Sequence, residues 1–295
     1  MADPALPFKD FKPAKEFLVG IDSDGCAFDT MEIKHKECFI PNIIKYWGLQ
    51  KVSKYAREAA EFVNLYSKSR GANRFIALIE VFDLLAGRKE VINRNAGIPG
   101  AEPLREWIRK ESKLSNSTLK KYVEQTQDPF MKKVLVWSEA VNDTVADIVH
   151  DVPPFPLVRE SLGKLSEKAD IVVVSATPHE ALKREWEEHG IDKYVRLIAG
   201  QEIGSKKEVL GYVLGGKYSA GKVLMIGDAP GDLKAGKANN ALFYPINPGY
   251  EEASWEHFYN KAADKFISGT YAGDYERSLI EEFNKYLPEI PPWKK

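Results

Sequence analysis

Phe17-Leu18-Val19-Gly20-Ile21-Asp22-Ser23-Asp24-Gly25 is a short apolar run that ends abruptly in two carboxylates and a glycine. A continuous apolar stretch of this length, bounded by turn residues, reads as a strand buried on both faces, because a strand with one wet face would alternate. Comparable runs recur at residues 171–174, 195–199, 223–226 and 241–244, each followed within a few residues by Asp, Ser or Gly. Helical patterns over residues 179–189, 206–214 and 233–238 separate the later runs. Strand and helix in alternation predict a doubly wound, Rossmann-like α/β core with a parallel sheet. Ligands of such sheets gather beyond the carboxyl ends of the strands. Asp22, Ser175 and Asp228 each stand just past one of these runs.

The rhythm is interrupted between the first strand and the second. Residues 30–150 show no β pattern but several amphipathic helical ones, near 31–47, 53–66, 74–86, 103–110, 117–125 and 129–149, with Gly, Pro or Ser between them. Phe75, Leu78, Ile79 and Phe82 fall on one helix face, as a buried stripe requires. This predicts an all-helical inserted domain. It closes at Asp151-Val152-Pro153-Pro154-Phe155-Pro156, whose prolines suit a stiff strap between domains. The expected division is therefore a core of residues 1–29 and 151–295 and an insertion of residues 30–150. The segment after Tyr244 reads as an extension packed on the core by Trp255, Phe258, Phe266 and Phe283.

Bulk properties narrow the function. With 295 residues and 44% hydrophobic content the chain can fill a large core, and 42 basic against 43 acidic residues leave a formal charge of −1. No global field draws it to nucleic acid or an anionic membrane, so a small molecule is the expected partner. Cys26 and Cys38 form no pairing framework, which fits a reducing compartment. The first residues lack the apolar run of a signal peptide, and no apolar stretch is long enough to cross a bilayer, so the expected location is cytoplasmic. Oligomeric state is not legible.

Four pieces carry possible chemistry. Asp22 and Asp24 lie two residues apart at a strand end, an arrangement that alone is more often a turn and helix cap than a catalytic pair. Ser175, with Ala176 and Thr177 after it, offers a hydroxyl and backbone N–H groups to an anion, or an ordinary helix cap. Lys206-Lys207 opens a helix and in isolation reads as a solvated surface pair. Val223-Leu224-Met225-Ile226-Gly227-Asp228-Ala229-Pro230-Gly231-Asp232 ends a buried strand in Gly-Asp and adds another Asp at the next helix start. Capping explains either aspartate but not the whole set.

Taken together, in this order and spacing, the four pieces resemble the motifs of the haloacid dehalogenase superfamily, phosphatase branch. The resemblance spans residues 17–30 and 155–244, and the insertion resembles that family's helical cap of the first type. It implies that Asp22 is the nucleophile and Asp24 the general acid/base. Ser175 and Ala176 would bind the transferring phosphoryl group, and Lys206 or Lys207 would neutralise its charge. Magnesium would be held by Asp22, Asp24 through its main-chain carbonyl and Asp228, with Asp232 either a further ligand or an acceptor just behind the ligands. Such chemistry needs these types: a carboxylate approaches an anionic phosphate ester only when a metal and a lysine offset the repulsion, and magnesium takes hard oxygen ligands. Within the family, an acid/base aspartate at the position of Asp24 goes with phosphate esters rather than carbon–halogen bonds or phosphonates. Cys26 departs from the usual Thr or Val there and reads as a small buried side chain or a redox-sensitive thiol.

The expected function is hydrolysis of a small phosphorylated metabolite. Phosphotransfer or mutase activity on the same nucleophile, and a non-catalytic binding module of the same fold, are the competing readings. Specificity is expected in the insertion, where residues 66–75 gather Arg70 and Arg74 around a glycine as a substrate loop or an interhelical turn. His35 and Lys45 are further candidates.

Overall fold

The computed structural model describes residues 3–294 and forms two compact units, Met1–Thr30 with Asp151–Leu287, and Met31–His150 with Pro288–Lys295. The first unit is built on a five-stranded parallel sheet with strands β1 Phe17–Ile21, β2 Ala169–Val174, β3 Leu197–Ala199, β4 Val223–Gly227 and β5 Leu242–Pro245. Their order is β3-β2-β1-β4-β5. All the pairings are parallel, with Ile21 opposite both Val173 and Ile226. The chain winds outward from β1 through β2 to β3, then returns to the other side of β1 for β4 and β5. The direction of winding thus reverses between β1 and β4, and the carboxyl ends of those two strands carry Asp22 and Asp228. A doubly wound sheet opens its binding crevice at that reversal.

Burial on both faces explains the apolar runs. Leu18, Val19 and Ile21 of β1 and Leu224, Met225 and Ile226 of β4 are fully buried, packed between helices such as Val158–Ser166 on one side and Lys206–Leu214 on the other. The first of these helices has no counterpart in the pattern read from sequence. Gly20 is needed because a Cβ there would lie 3.0 Å from the Met225 sulfur and 3.3 Å from a Leu210 methyl.

The extension after β5 covers the rim of the sheet. Trp255, Phe258, Phe266 and Phe283 are buried, and the helix Asp274–Tyr286 presents Glu276, whose carboxylate accepts the Phe243 N–H at 2.8 Å. The Tyr271 hydroxyl donates to the Phe243 carbonyl at 2.8 Å. Both main-chain groups of this rim residue therefore have partners without another strand.

At the opposite end of the strands, buried Asp170 accepts from the N–H groups of Ala14 (2.8 Å) and Lys15 (3.0 Å), the Tyr218 hydroxyl (2.8 Å) and Arg196 (2.5 Å). This one carboxylate ties the N-terminal segment to the sheet. Asp170→Ala strands those donors and is expected to cost about 3 kcal/mol in urea unfolding.

The second unit is helical, with Ile40–Trp47, Ser53–Leu65, Arg74–Ala86, Glu102–Lys110, Asn116–Thr126 and Pro129–Ile148 as its main elements. Residues 31–47 are not one regular helix: Lys34–Phe39 forms a wider π turn. A short helix, Lys89–Asn93, adds to those read from sequence. The core joins Trp47, Phe82, Trp107 and Trp137.

The last residues correct one expectation. Placed with the α/β core by sequence, they group instead with the helical unit. The Trp293 ring packs edge-on against Phe62 at 5.8 Å and lies 4.4 Å from the Arg88 guanidinium, which also stacks on Tyr55 at 4.5 Å. A buried arginine between two rings gains both cation–π attraction and cover from solvent.

Candidate active site

Asp22 follows β1 directly, and its N–H donates to the Ile226 carbonyl at 3.0 Å, continuing the β1–β4 ladder one residue past the strand. One carboxylate oxygen accepts the Ser23 N–H at 2.8 Å, and the other accepts from the Lys206 ammonium at 2.5 Å. The same ammonium donates to Asp232 at 2.6 Å. Of the adjacent pair Lys206-Lys207, Lys206 is the one that bonds these carboxylates, while Lys207 is exposed. A sequence cannot choose between adjacent residues at a helix start, since the choice depends on the angle at which that helix leaves the sheet.

Asp232 reaches this cluster because the helix expected over 233–238 begins earlier, at Pro230. Its third residue is then Asp232, whose carboxylate turns back to accept the Ala229 N–H at 3.1 Å. Fully buried, it lies directly over Gly227, where a Cβ would collide with the aspartate side chain. The glycine of Gly-Asp is therefore a clearance for Asp232.

Ligand oxygens of Asp22, Asp228 and Asp232 all lie within 4.8 Å of one another, and all three residues are buried. Burial pushes the Asp22 carboxyl up to about 6; Lys206 pulls it down and Asp228 pushes it further up. Asp232 is likewise raised by burial to about 6, against the pull of Lys206. Burial alone would lower the Lys206 ammonium, but Asp22 and Asp232 outweigh it and hold it above its ordinary value. Three hard anionic donors with one cation beside them suit a divalent cation of the magnesium type.

Asp24 is oriented separately. The hydroxyls of Thr30 and Thr177 donate to its two oxygens at 2.5 Å and 2.6 Å. Thr177 belongs to the loop after β2, so that loop is bonded to the Asp-x-Asp segment. Ser175 is buried there; its N–H donates to Ala199, and its hydroxyl accepts the Thr177 N–H at 3.2 Å. Ala176 is exposed. Sequence alone assigns neither threonine hydroxyl a role, although Thr177 falls in the Ser175 piece and Thr30 closes the Asp22 segment. Cys26 is wholly buried, and burial, reinforced by Asp22, raises its thiol well above its usual range. That favours the reading as a small packing residue over a reactive thiolate.

Arg70 and Arg74 lie in the helical unit. Arg70 is buried and donates to the Leu65 carbonyl at 2.9 Å, at the end of the helix Ser53–Leu65. The segment around it is a turn between the helices Ser53–Leu65 and Arg74–Ala86, with Ser67 and Arg70 buried and Lys68, Gly71 and Asn73 exposed. Arg74 donates to the Ser138 carbonyl, the Ser138 hydroxyl and Asn142 at 3.0, 3.1 and 2.7 Å, and its guanidinium lies 5.0 Å from the Phe39 ring. These acceptors are neutral.

A family model described as haloacid dehalogenase-like hydrolase matches residues 95–244. The match takes in Ser175, Lys206, Asp228 and Asp232 and stops short of Asp22 and Asp24. No curated protein matches the chain. Among solved structures, one from Lactobacillus delbrueckii, named as a phosphoglycolate phosphatase, is 16% identical with a TM-score of 0.47, covering 91% of this chain and 98% of its own. A haloacid dehalogenase-like hydrolase from Streptococcus pneumoniae is 11% identical with a TM-score of 0.47, covering 81% and 90%. A HAD-superfamily hydrolase from Geobacter sulfurreducens is 16% identical with a TM-score of 0.40, covering 80% and 89%.

Proposed function

The chain belongs to the haloacid dehalogenase-like hydrolases, and from that premise we propose that it is a magnesium-dependent phosphatase of a small phosphorylated metabolite, with Asp22 as nucleophile. The observation that supports this most is the meeting of Asp22, Asp228 and Asp232 around Lys206 at the carboxyl ends of β1 and β4. Magnesium, held by those carboxylates and the Asp24 carbonyl, would supply positive charge to offset that of the phosphoryl oxygens.

In the first step, an Asp22 oxygen attacks phosphorus and the ester P–O bond breaks, while Asp24 gives its proton to the departing alkoxide. An aspartyl-phosphate remains. In the second step, Asp24 takes a proton from water as that water attacks phosphorus, and the bond to Asp22 breaks to release inorganic phosphate. Thr30 and Thr177 hold Asp24 for both transfers. Lys206 stays protonated and stabilises the charge gathered on the phosphoryl oxygens. We place the choice of leaving group in the helical unit, with Arg74, whose hydrogen bonds among the described residues go to neutral acceptors, as the first residue to test; Arg70 lies in the turn after the helix Ser53–Leu65 and donates to its last carbonyl.

The test is phosphate release from an aryl phosphate and from a panel of phosphorylated metabolites, with magnesium and with a chelator. Release that requires the metal and needs only water as acceptor supports the proposal. Release that needs an added hydroxyl compound would reassign the protein as a phosphotransferase, and no release under any condition would reject catalysis of this kind.

No helix among the described residues is long and apolar enough to cross a membrane. We propose a soluble enzyme of the cytoplasm acting on a free metabolite rather than on nucleic acid or lipid, in keeping with the balanced charge.

A further inference from the structure

Between the two aspartates assigned to catalysis stands Ser23, which is fully buried. Its hydroxyl accepts the Trp186 indole N–H at 3.0 Å and donates to a Glu185 carboxylate oxygen at 3.0 Å. The direction of both bonds follows from the groups: an indole only donates and a carboxylate only accepts. One hydroxyl is thus held from two sides by consecutive residues of the helix His179–Glu188. Successive side chains of a helix diverge by about 100°, which lets a single turn clasp the oxygen.

Ser23 is also where the loop folds. Its carbonyl accepts the N–H groups of Cys26, Ala27 and Phe28 at 3.2, 2.8 and 3.0 Å, and the Phe28 ring packs edge-on against Trp186 at 5.7 Å. The helix that clasps Ser23 begins just after Thr177, which holds Asp24. Asp22, by contrast, is held by Lys206 on another helix. The angle between nucleophile and acid/base therefore depends on how firmly Ser23 is fixed relative to the β2 side of the sheet.

We infer that Glu185 and Trp186 are positioning residues that, through Ser23, set the geometry between Asp22 and Asp24. This rests on the phosphatase reading above. Neither touches the reacting atoms. Their effect is on pre-organisation, where a displacement of about 1 Å costs on the order of 100-fold in rate.

The experiment compares Ser23→Ala, Glu185→Ala, Glu185→Gln and Trp186→Phe with the wild-type enzyme, using an aryl phosphate in magnesium buffer and correcting each rate for the folded fraction by circular dichroism. Ser23→Ala and Glu185→Ala are expected to lower kcat roughly 10- to 100-fold with KM little changed. Glu185→Gln, which keeps an acceptor oxygen for Ser23, is expected to recover most of that loss. Trp186→Phe keeps an aromatic ring beside Phe28 but loses the N–H and part of a buried ring, so its rate is read per folded molecule and is expected to fall less than that of Ser23→Ala. Because Glu185 is partly exposed, its variants test the inference even if Ser23→Ala does not fold. Variants that turn over at the wild-type kcat per folded molecule would overturn it, as would a glutamine variant no better than alanine. A wild-type protein inactive on every phosphate ester would sink the functional reading, and this inference with it.

Discussion

Asp22→Asn is expected to lower phosphate release by a factor on the order of 10⁴ or more, since an amide cannot form the covalent intermediate and residual rates reflect binding alone. The substitution conserves shape. Its N–H acceptor role toward Ser23 survives on the amide oxygen, and its loss of charge relieves repulsion with Asp228. Folding should therefore be intact or improved, so inactivity cannot be blamed on unfolding. Single-turnover measurements with radiolabelled substrate check the same point: wild-type protein quenched in acid carries label on the chain, and the asparagine variant does not. Activity persisting in pure Asp22→Asn protein would remove the nucleophile from the scheme.

The second large effect concerns metal and stability together. Asp22 and Asp232 are raised from 3.8 to about 6. Between those two pH values the folded protein holds protons that the unfolded chain has released. In the metal-free protein these groups thus favour the fold below about pH 4, and that contribution is lost as pH rises through 6. At neutral pH the site holds buried carboxylates short of solvation, with repulsion among them adding to that cost, and a divalent cation relieves both. Magnesium at 100 times its Kd stabilises by about 2.7 kcal/mol, which should raise the melting temperature by several degrees at pH 7.5. Asp228→Asn should raise the melting temperature of the metal-free protein and abolish the response to magnesium. Equal magnesium shifts in both proteins would exclude Asp228 from the metal site.

The β-strands were legible because burial on both faces writes an unbroken apolar run, and the carboxylates were legible because each stands where such a run stops. The helical insertion showed itself through stripes such as Phe75, Leu78, Ile79 and Phe82. What escaped the sequence is of another kind. Which lysine enters the site depends on the exit angle of a helix, and the hydroxyls of Thr30, Thr177 and Ser23 acquire their roles from partners as far away in sequence as residue 186. The placement of Trp293 was missed for the same reason: nothing local in LPEIPPWKK says that Arg88 and Phe62 will receive it. Short-range patterns encode elements, whereas the partners of a polar side chain are set by topology.

The bonds that Glu276 and Tyr271 make to Phe243 bear on more than the fold of one molecule. An outermost strand with idle main-chain groups is a template on which a second chain can add a strand. By occupying the donor and acceptor of Phe243, the C-terminal segment withholds that template, so a chain cut before Tyr271 would keep Asp22, Asp228 and Asp232 yet offer β5 to its neighbours. The extension thus covers the main-chain groups of Phe243 on which a second chain could otherwise pair.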